Sequence, residues 1–309
     1  MRILVTGGSG LVGTALSNSV TNHEIVCVSS SDYNLIEKPA VEKMLRETSP
    51  DAVIHLAARV GGVQANIDSP ADFYYENMMI NTNVLHSSYN YNIKKVISML
   101  STCIFPNDIT YPIKESDVHK GEPHETNFAY SYAKRMLDIQ SRAYRKQHGC
   151  NFVTVVPNNL YGENDNFHSK DSHVIPAMIR KFHEAKLSEK SEVILWGDGS
   201  PMREFTYSKD IADQLLFITE NYDEPDPVNL GNSEEISIKS LAEVISSELK
   251  YEGKIIWDTT MPAGQHRKPS CKKRVRSLGW KDEEFTSIEL GIKKTCEWFD
   301  KNYPNVRGV

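Results

Sequence analysis

Residues 2–13 read Arg2-Ile3-Leu4-Val5-Thr6-Gly7-Gly8-Ser9-Gly10-Leu11-Val12-Gly13, and this stretch decides the fold. Its apolar, β-branched start predicts a buried strand, and a helical pattern begins after the glycines. In the spacing G-x-x-G-x-x-G the first glycine allows a tight turn, the second lets backbone approach a pyrophosphate, and the third lets the helix pack closely on the strand. Amides bared at the helix N-terminus bind phosphates. The stretch therefore predicts a dinucleotide site formed by Gly7, Gly8, Ser9, Gly10, Leu11, Val12 and Gly13.

Strand-like and helical stretches alternate through the first half of the chain. The predicted strands are Ile3–Thr6, Ile25–Ser29, Ala52–Ala57, Lys95–Leu100 and Phe152–Val156, with helices near 11–21, 39–48, 71–91 and 131–148. Because these strands lack a clean alternation of period two, we expect both faces of a parallel sheet to be buried. Strand-helix-strand repetition predicts an α/β fold, a Rossmann-type doubly wound parallel sheet.

The second half of the chain predicts a smaller C-terminal α/β substrate domain. A polar loop over 162–173 precedes a helix at 174–187, a strand Val193–Trp196, a turn Gly197–Pro201 and helices at 238–249 and 286–302. We therefore expect a dinucleotide-binding domain over 1–160, with later contributions near 205–232, and a substrate domain over 161–309.

Composition excludes several classes of protein. The 309 residues are 39% hydrophobic and 25% charged, which excludes a disordered tail and a disulfide miniprotein. A net charge of −6 disfavours nucleic acid as a partner. No apolar run reaches membrane-spanning length, and Met1 leads directly into a strand instead of a signal peptide, so we expect a cytoplasmic protein. Five dispersed cysteines indicate reduced thiols, and none stands at metal-ligand spacing, so no metal is expected.

The residues after the second predicted strand indicate the cofactor. NAD sites usually carry an acidic residue here, whereas this chain has Ser29-Ser30-Ser31. Hydroxyls donate to a 2′-phosphate without charge repulsion, so we expect NADP, with Ser30 among its contacts. Leu56, Ala57 and Ala58 end the third strand. These small side chains either leave room for the adenosine half of the cofactor or serve close helix packing.

Tyr130-Ser-Tyr-Ala-Lys134 forms a Y-x-x-x-K motif at a predicted helix start. Residues four apart share a helix face, so the phenol and the ammonium meet in one pocket. A nearby cation is expected to lower the pKa of the phenol and make Tyr130 an acid/base near neutral pH. Tyr132 is the competing candidate, but it has no lysine four residues later.

Together these motifs resemble the extended short-chain dehydrogenase/reductase family, over nearly the whole chain from Met1 to about Trp298. Within it the chain is similar to enzymes that epimerise a GDP-4-keto-6-deoxy sugar at C3 and C5 and then reduce C4 with NADPH. The motifs that carry this resemblance are Leu100–Pro106, Tyr130–Lys134, Asn164–His168, Ser172–Pro176 and Trp196–Phe205.

The resemblance implies a role for each catalytic candidate. Ser101 and Tyr130 hydrogen-bond the C4 ketone oxygen, Cys103 is the base and His173 the acid on the opposite face. Tyr130 then protonates the oxygen during hydride transfer, and Lys134 holds Tyr130 and the nicotinamide ribose. Ser101 and Cys103 are two residues apart after a strand, so an extended segment points both to one side. A neighbouring cation favours a reactive Cys103 thiolate.

The resemblance also implies binding residues. Pro157, Asn159 and Leu160 lie beside the nicotinamide, and the GDP-sugar contacts are Asn159, His173, Lys181, Trp196, Arg203 and Lys268. Lys268 belongs to a stretch, 266–276, with six Lys/Arg and no acid, which alone indicates a solvated face or a nucleic-acid patch. Ala263 stands where the family often has Asp, which affects the guanine or ribose contacts expected of this loop.

Two alternatives remain at this point. A sister 4-reductase or 4-epimerase would keep the glycines and Y-x-x-x-K without needing Cys103 and His173. A non-catalytic dinucleotide sensor could dispense with Tyr130 and Lys134. The resemblance further implies a homodimer that pairs helices 71–91 and 131–148 across a two-fold axis as a four-helix bundle.

Overall fold

The computed structural model describes residues 1–169, 171–261 and 266–309. The strands are β1 Arg2–Thr6, β2 Glu24–Val28, β3 Ala52–His55, β4 Lys95–Met99, β5 Phe152–Pro157, β6 Asn159–Tyr161, β7 Glu192–Trp196, β8 Met202–Tyr207, β9 Val228–Leu230, β10 Glu235–Ser237 and β11 Lys254–Asp258. The α-helices are α1 Leu11–Ser17, α2 Lys38–Thr48, α3 Val63–Asp68, α4 Pro70–Asn90, α5 Phe128–His148, α6 Val174–Leu187, α7 Ser208–Asn221, α8 Ile238–Glu248, α9 Lys273–Ser277 and α10 Ile288–Asn302. No helix in these ranges is both long and apolar enough to cross a membrane.

A parallel sheet in the order β2-β1-β3-β4-β5-β9 forms the centre of the molecule. The predicted Rossmann-type sheet is thereby confirmed. Strands β3, β4 and β5 are buried at every residue, as expected for a sheet covered on both faces, whereas β2 is more exposed because it lies at an edge. The chain order reverses between β1 and β3. Open α/β sheets bind ligands beyond the carboxyl ends of the strands at such a switch point.

Two helical layers cover this sheet. Helices α1 and α7 pack on one face through residues such as Leu16 and Leu215, and α2, α4 and α5 pack on the other through residues such as Met44 and Leu137. The helix α7 and the strands β8 and β9 were not among the predicted elements. Strand β9 pairs with β5, so the chain returns to the large sheet after residue 207.

Helix α1 ends four residues earlier than the predicted 11–21. Ser17 and Ser19 donate their hydroxyls to the carbonyl oxygens of Thr14 and Ala15, at 2.8 and 3.0 Å. Such side-chain bonds compete with continued helix, which explains the early end.

A second, smaller core lies under two small sheets. Strands β10, β8 and β6 form one, and β11 pairs with β7 in the other. Helices α6, α8 and α10 pack against them through buried side chains such as Phe182, Leu241 and Phe299. The predicted helices at 174–187, 238–249 and 286–302, and the polar loop before them, agree with the structure within two residues.

Candidate functional site

The glycine-rich turn between β1 and α1 has the geometry that the sequence predicts. Gly7 adopts a φ of 72°, which side chains other than hydrogen rarely tolerate. A Cβ on Gly13 would lie 2.5 Å from the Gly7 carbonyl oxygen, so any larger residue would push α1 away from the strand. Helix α1 begins at Leu11, and the first amides of a helix have no partner inside it. The start of α1 therefore presents amide donors where a pyrophosphate can bind, whereas the Gly8 and Gly10 amides are bonded to Val28 and Gly7.

A buried hydrogen-bond chain links this turn to helix α5, which carries Tyr130 and Lys134. His55 contacts the Thr6 hydroxyl at 2.8 Å and the Asn81 amide oxygen at 3.1 Å, and Asn81 donates to the carbonyl oxygen of Ala133 at 3.2 Å. Burial, with Lys134 nearby, lowers the pKa of His55 to about 3, so its imidazole is neutral. Sequence reasoning gave His55 and Asn81 no role. The sequence signal for such a role is a polar side chain, His55, inside the otherwise apolar strand β3.

In the segment after β2, Ser30 is exposed and the nearest carboxylate, that of Asp32, is hydrogen-bonded within the segment. Asp32 accepts hydrogen bonds from the Ser29 amide at 2.8 Å and the Ser29 hydroxyl at 2.7 Å. These bonds lower the pKa of Asp32. The carboxylate is thus already satisfied by its own turn. Ala57 at the end of β3 packs against Gly7, because a Cβ on Gly7 would lie 3.0 Å from the Ala57 nitrogen.

Ser101 and Cys103 follow β4, but not on an extended segment. Ser101 is extended, with φ −156° and ψ 152°, whereas Thr102–Ile104 form a single 3₁₀ turn. The expected extended geometry is therefore wrong, because the chain turns as soon as it leaves the sheet. Arg135 on α5 fixes this turn by donating to the carbonyl oxygens of Ile104 at 2.5 Å and Gly121 at 2.7 Å. Sequence reasoning missed this positioning residue.

Tyr130 and Lys134 lie in the first two turns of α5. The Lys134 ammonium donates to the carbonyl oxygen of Met99 at 2.9 Å, which holds it at the carboxyl end of β4. Burial lowers the pKa of Lys134 to about 8, and a Cys103 thiolate opposes that fall. Burial raises the pKa of Tyr130 well above its usual value, and the thiolate charge raises it further. The expected lowering of the phenol pKa is wrong, because burial of the phenol dominates its pKa.

Cys103 lies near titratable groups from both halves of the chain. A negative charge on its sulfur would act on Tyr130 and Lys134 from α5 and on Lys268 from the second half of the chain. Burial and the charge of Arg203 lower the pKa of Lys268, whereas a negative charge on Cys103 raises it. A base candidate, an acid candidate and two cations from distant parts of the sequence are therefore brought together.

His173 stands directly before α6, on the smaller half of the molecule. The residue is exposed to solvent, yet enough protein surrounds its ring to lower its pKa, which favours neutral imidazole. We attribute both properties to a position on the wall of a cleft.

The other expected contacts lie along the strands of the smaller half. Asn159 in β6 donates to the Glu204 carbonyl oxygen at 2.9 Å, between buried Pro157 and half-buried Leu160. The Lys181 amine reaches the Ile194 carbonyl oxygen at 3.4 Å, and Trp196, 61% exposed, ends the same strand. Exposed aromatic area of this size suits stacking on a ring or a sugar face.

Ion pairs account for most of the basic stretch 266–276. Arg267 pairs with Glu235, Arg274 with Asp226 at 3.2 Å, and Arg276 with Asp282 at 2.6 Å, while Lys272 is buried against Glu204 at 3.4 Å. These pairings leave few free cations for a nucleic-acid patch, whereas exposed Arg267, Lys273 and Arg276 are consistent with a solvated face. Ala263, which stands where the family often has Asp, lies outside the described residues.

Comparisons with known proteins agree with this geometry. The profile of the NAD dependent epimerase/dehydratase family matches residues 3–231. GDP-L-fucose synthase of Dictyostelium discoideum is 41% identical, covering 99% of this chain and 97% of that protein.

Two solved structures extend the comparison. A GDP-L-fucose synthetase from Naegleria fowleri bound to NADP superposes with a TM-score of 0.93 at 36% identity, covering 99% of this chain and 96% of that one. A GDP-6-OMe-4-keto-L-xylo-heptose reductase from C. jejuni gives 0.90 at 30% identity, covering 97% and 98%. The chain belongs to the NAD dependent epimerase/dehydratase family.

Proposed function

We propose that the chain converts GDP-4-keto-6-deoxy-D-mannose to GDP-L-fucose, by epimerisation at C3 and C5 and NADPH-dependent reduction at C4. The observation that carries this proposal is a free Cys103 thiol on the turn that follows β4, the strand whose last residue, Met99, accepts a hydrogen bond from Lys134. A simple reductase has no step that needs such a base. The family and the relatives named for this reaction support the same assignment.

In the first stage Cys103 removes a proton from a carbon beside the C4 ketone. The electrons of that C–H bond move onto the ketone oxygen, where hydrogen bonds from Ser101 and Tyr130 stabilise the enolate. His173, in its protonated form, returns a proton to the opposite face of the carbon, and the ketone reforms with inverted configuration. Cys103 then releases its proton to solvent and His173 takes one up, and the same exchange at the second carbon completes the epimerisation.

In the second stage the C4 ketone becomes an alcohol. Bound NADPH supplies the hydride, and the glycine-rich turn after β1 fits its pyrophosphate. Tyr130 gives its proton to the C4 oxygen, since its pKa is raised and the phenol is protonated at neutral pH. Lys134, on the same helix as Tyr130, donates a hydrogen bond from its amine to the end of β4.

The GDP half binds along the smaller sheets. Arg203 and Lys268 supply positive charge to the diphosphate, and guanidinium forks match phosphate oxygens. Burial lowers the pKa of both groups, which indicates that their charges are poorly hydrated and available to an anion. Lys181 and Trp196 contact the outer part of the ligand.

An assay with GDP-4-keto-6-deoxy-D-mannose and NADPH tests the proposal. We expect absorbance at the nicotinamide band to fall and the product to be GDP-L-fucose by chromatography and mass analysis. A UDP-linked 4-keto sugar is the control and should react far more slowly. Equal turnover of the UDP sugar, or no turnover of the GDP sugar, would contradict the assignment.

NADPH is expected to be preferred to NADH. The exposed Ser30 hydroxyl can bind a 2′-phosphate, and Asp32 is held by Ser29 instead of facing a ribose. Introducing a carboxylate by Ser30→Asp should repel the 2′-phosphate and reverse the preference. The measurement is kcat/KM for both cofactors with both proteins; an NADH value equal to or above that of NADPH in the unmodified protein would contradict it.

We further propose a cytoplasmic homodimer that pairs α4 and α5 across a two-fold axis. A groove of about 510 Å³ between these helices is lined by apolar side chains, among them Tyr74 and Phe128, which are 44% and 48% exposed. All five cysteines are free, as a reducing compartment requires. Sedimentation should show a species of twice the 35.0 kDa chain mass at micromolar concentration, and Phe128→Asp should dissociate it. A single species at the monomer mass would count against pairing.

A further inference from the structure

The segment Asn305–Val309 that follows α10 is pinned on both sides of Arg307. The Arg307 carbonyl oxygen accepts from the Phe167 amide at 2.9 Å, and the Gly308 carbonyl oxygen accepts from the Arg180 guanidinium at 2.8 Å. Val306 is buried in the smaller core. The backbone of Arg307 is therefore fixed while its side chain is left to point elsewhere.

The Arg307 guanidinium lies next to the glycine-rich turn at the other end of the sequence. A Cβ placed on Gly10 would lie 3.9 Å from Nη1 of Arg307. Gly10 is the residue that caps α1, where the free helix amides begin. Among the described residues the Arg307 side chain makes no hydrogen bond or ion pair, and it is exposed to solvent, so its donors are available to an anion bound at this turn.

Asp165 also lies near this guanidinium. Its Oδ2 atom is buried without a hydrogen-bond partner in the described part of the chain. Burial raises the pKa of Asp165 to about 7, and the charge of Arg307 opposes that rise. Arg307 is thus near a buried carboxyl group as well as near the phosphate turn, and the carboxyl group forms no ion pair with it.

We propose that Arg307 is a further dinucleotide-binding residue, whose guanidinium donates to the pyrophosphate oxygens held at Gly10. Its distance to Gly10, and not to the serines after β2, points to the pyrophosphate and not to the 2′-phosphate. The inference rests on the proposed binding of NADPH and is independent of the sugar substrate. The segment after α10 then forms part of the dinucleotide site.

Binding measurements on Arg307→Met test this inference. Titration calorimetry should show the Kd of NADPH rising roughly 10-fold, since a hydrogen bond to a charged group contributes on the order of a tenfold change or more. The Kd of NADH should rise by the same factor, whereas that of adenosine 2′-monophosphate, which lacks the pyrophosphate, should not change. Lys301→Met removes an exposed cation from α10 and is the matched control, with unchanged Kd values.

The conservative variant Arg307→Lys separates binding from a structural role. It keeps the positive charge and should restore part of the lost affinity for NADPH. If Arg307→Met lowers the melting temperature but leaves the Kd of NADPH unchanged, the residue only neutralises Asp165 and the inference is overturned. A parallel rise for adenosine 2′-monophosphate would also overturn it by moving the contact to the 2′-phosphate. Failure of the unmodified protein to bind NADPH would instead refute the proposed function.

Discussion

A Cys103→Ser variant turned over in D₂O is expected to lose deuterium incorporation at C3 and C5 and still to transfer hydride to C4. The change replaces the proposed base with a hydroxyl of far higher pKa, and loss of general-base catalysis costs roughly 10²–10⁴ in rate. Tyr130, Lys134 and Ser101 remain to polarise the ketone, so slow reduction of the unepimerised sugar continues. Mass analysis should show a shift from GDP-L-fucose towards an unepimerised 6-deoxy sugar.

His173→Asn should also lower the exchange, and less severely, because the first proton abstraction does not need the acid. Cys150→Ser is the control, since this half-buried thiol follows α5 at the end away from Tyr130. It should exchange like the unmodified protein. Full exchange in both the Cys103 and His173 variants would refute their roles and leave Cys103 as an ordinary small side chain.

Tyr130→Phe is expected to reduce the rate of NADPH oxidation by roughly 10²–10⁴, the range for a lost general acid. The substitution keeps the ring and its edge contact with Phe73, at a centroid distance of 6.3 Å, so the fold and the NADPH affinity should be retained. Single-turnover kinetics and a binding titration measure the two quantities separately.

Tyr132→Phe provides the matched control in the same helix. Tyr132 stacks under the Arg135 guanidinium at 5.3 Å and has no lysine one turn later, so the removal of its hydroxyl should change the rate little. If Tyr130→Phe abolishes NADPH binding, or if Tyr132→Phe causes the larger loss of rate, the acid has been assigned to the wrong residue.

Local patterns were sufficient to predict the large sheet and the cofactor turn. The glycines at 7, 10 and 13 shape the turn between β1 and α1, and runs of apolar residues indicate the buried strands. The return of the chain through α7 and β9 was not assigned to elements. Strand β9 is only three residues long. It is a strand because it pairs with β5, some 70 residues earlier, and not because of its local pattern.

Contacts between distant segments account for what sequence reasoning missed at the site. The chain from Thr6 through His55 to Asn81 spans three elements, and the approach of Arg307 to Gly10 joins opposite ends of the sequence. The direction of the Tyr130 pKa shift was also wrong. Spacing shows that a lysine shares the helix face, but only the packed structure shows how much solvent the phenol loses.

The most direct test of the account follows the unmodified protein with GDP-4-keto-6-deoxy-D-mannose and NADPH in D₂O, and locates deuterium in the product. If one site performs both stages, the product is GDP-L-fucose with solvent deuterium at C3 and C5 and protium from NADPH at C4. A reduced product without deuterium at C3 and C5 would contradict the account and indicate a simple 4-reductase.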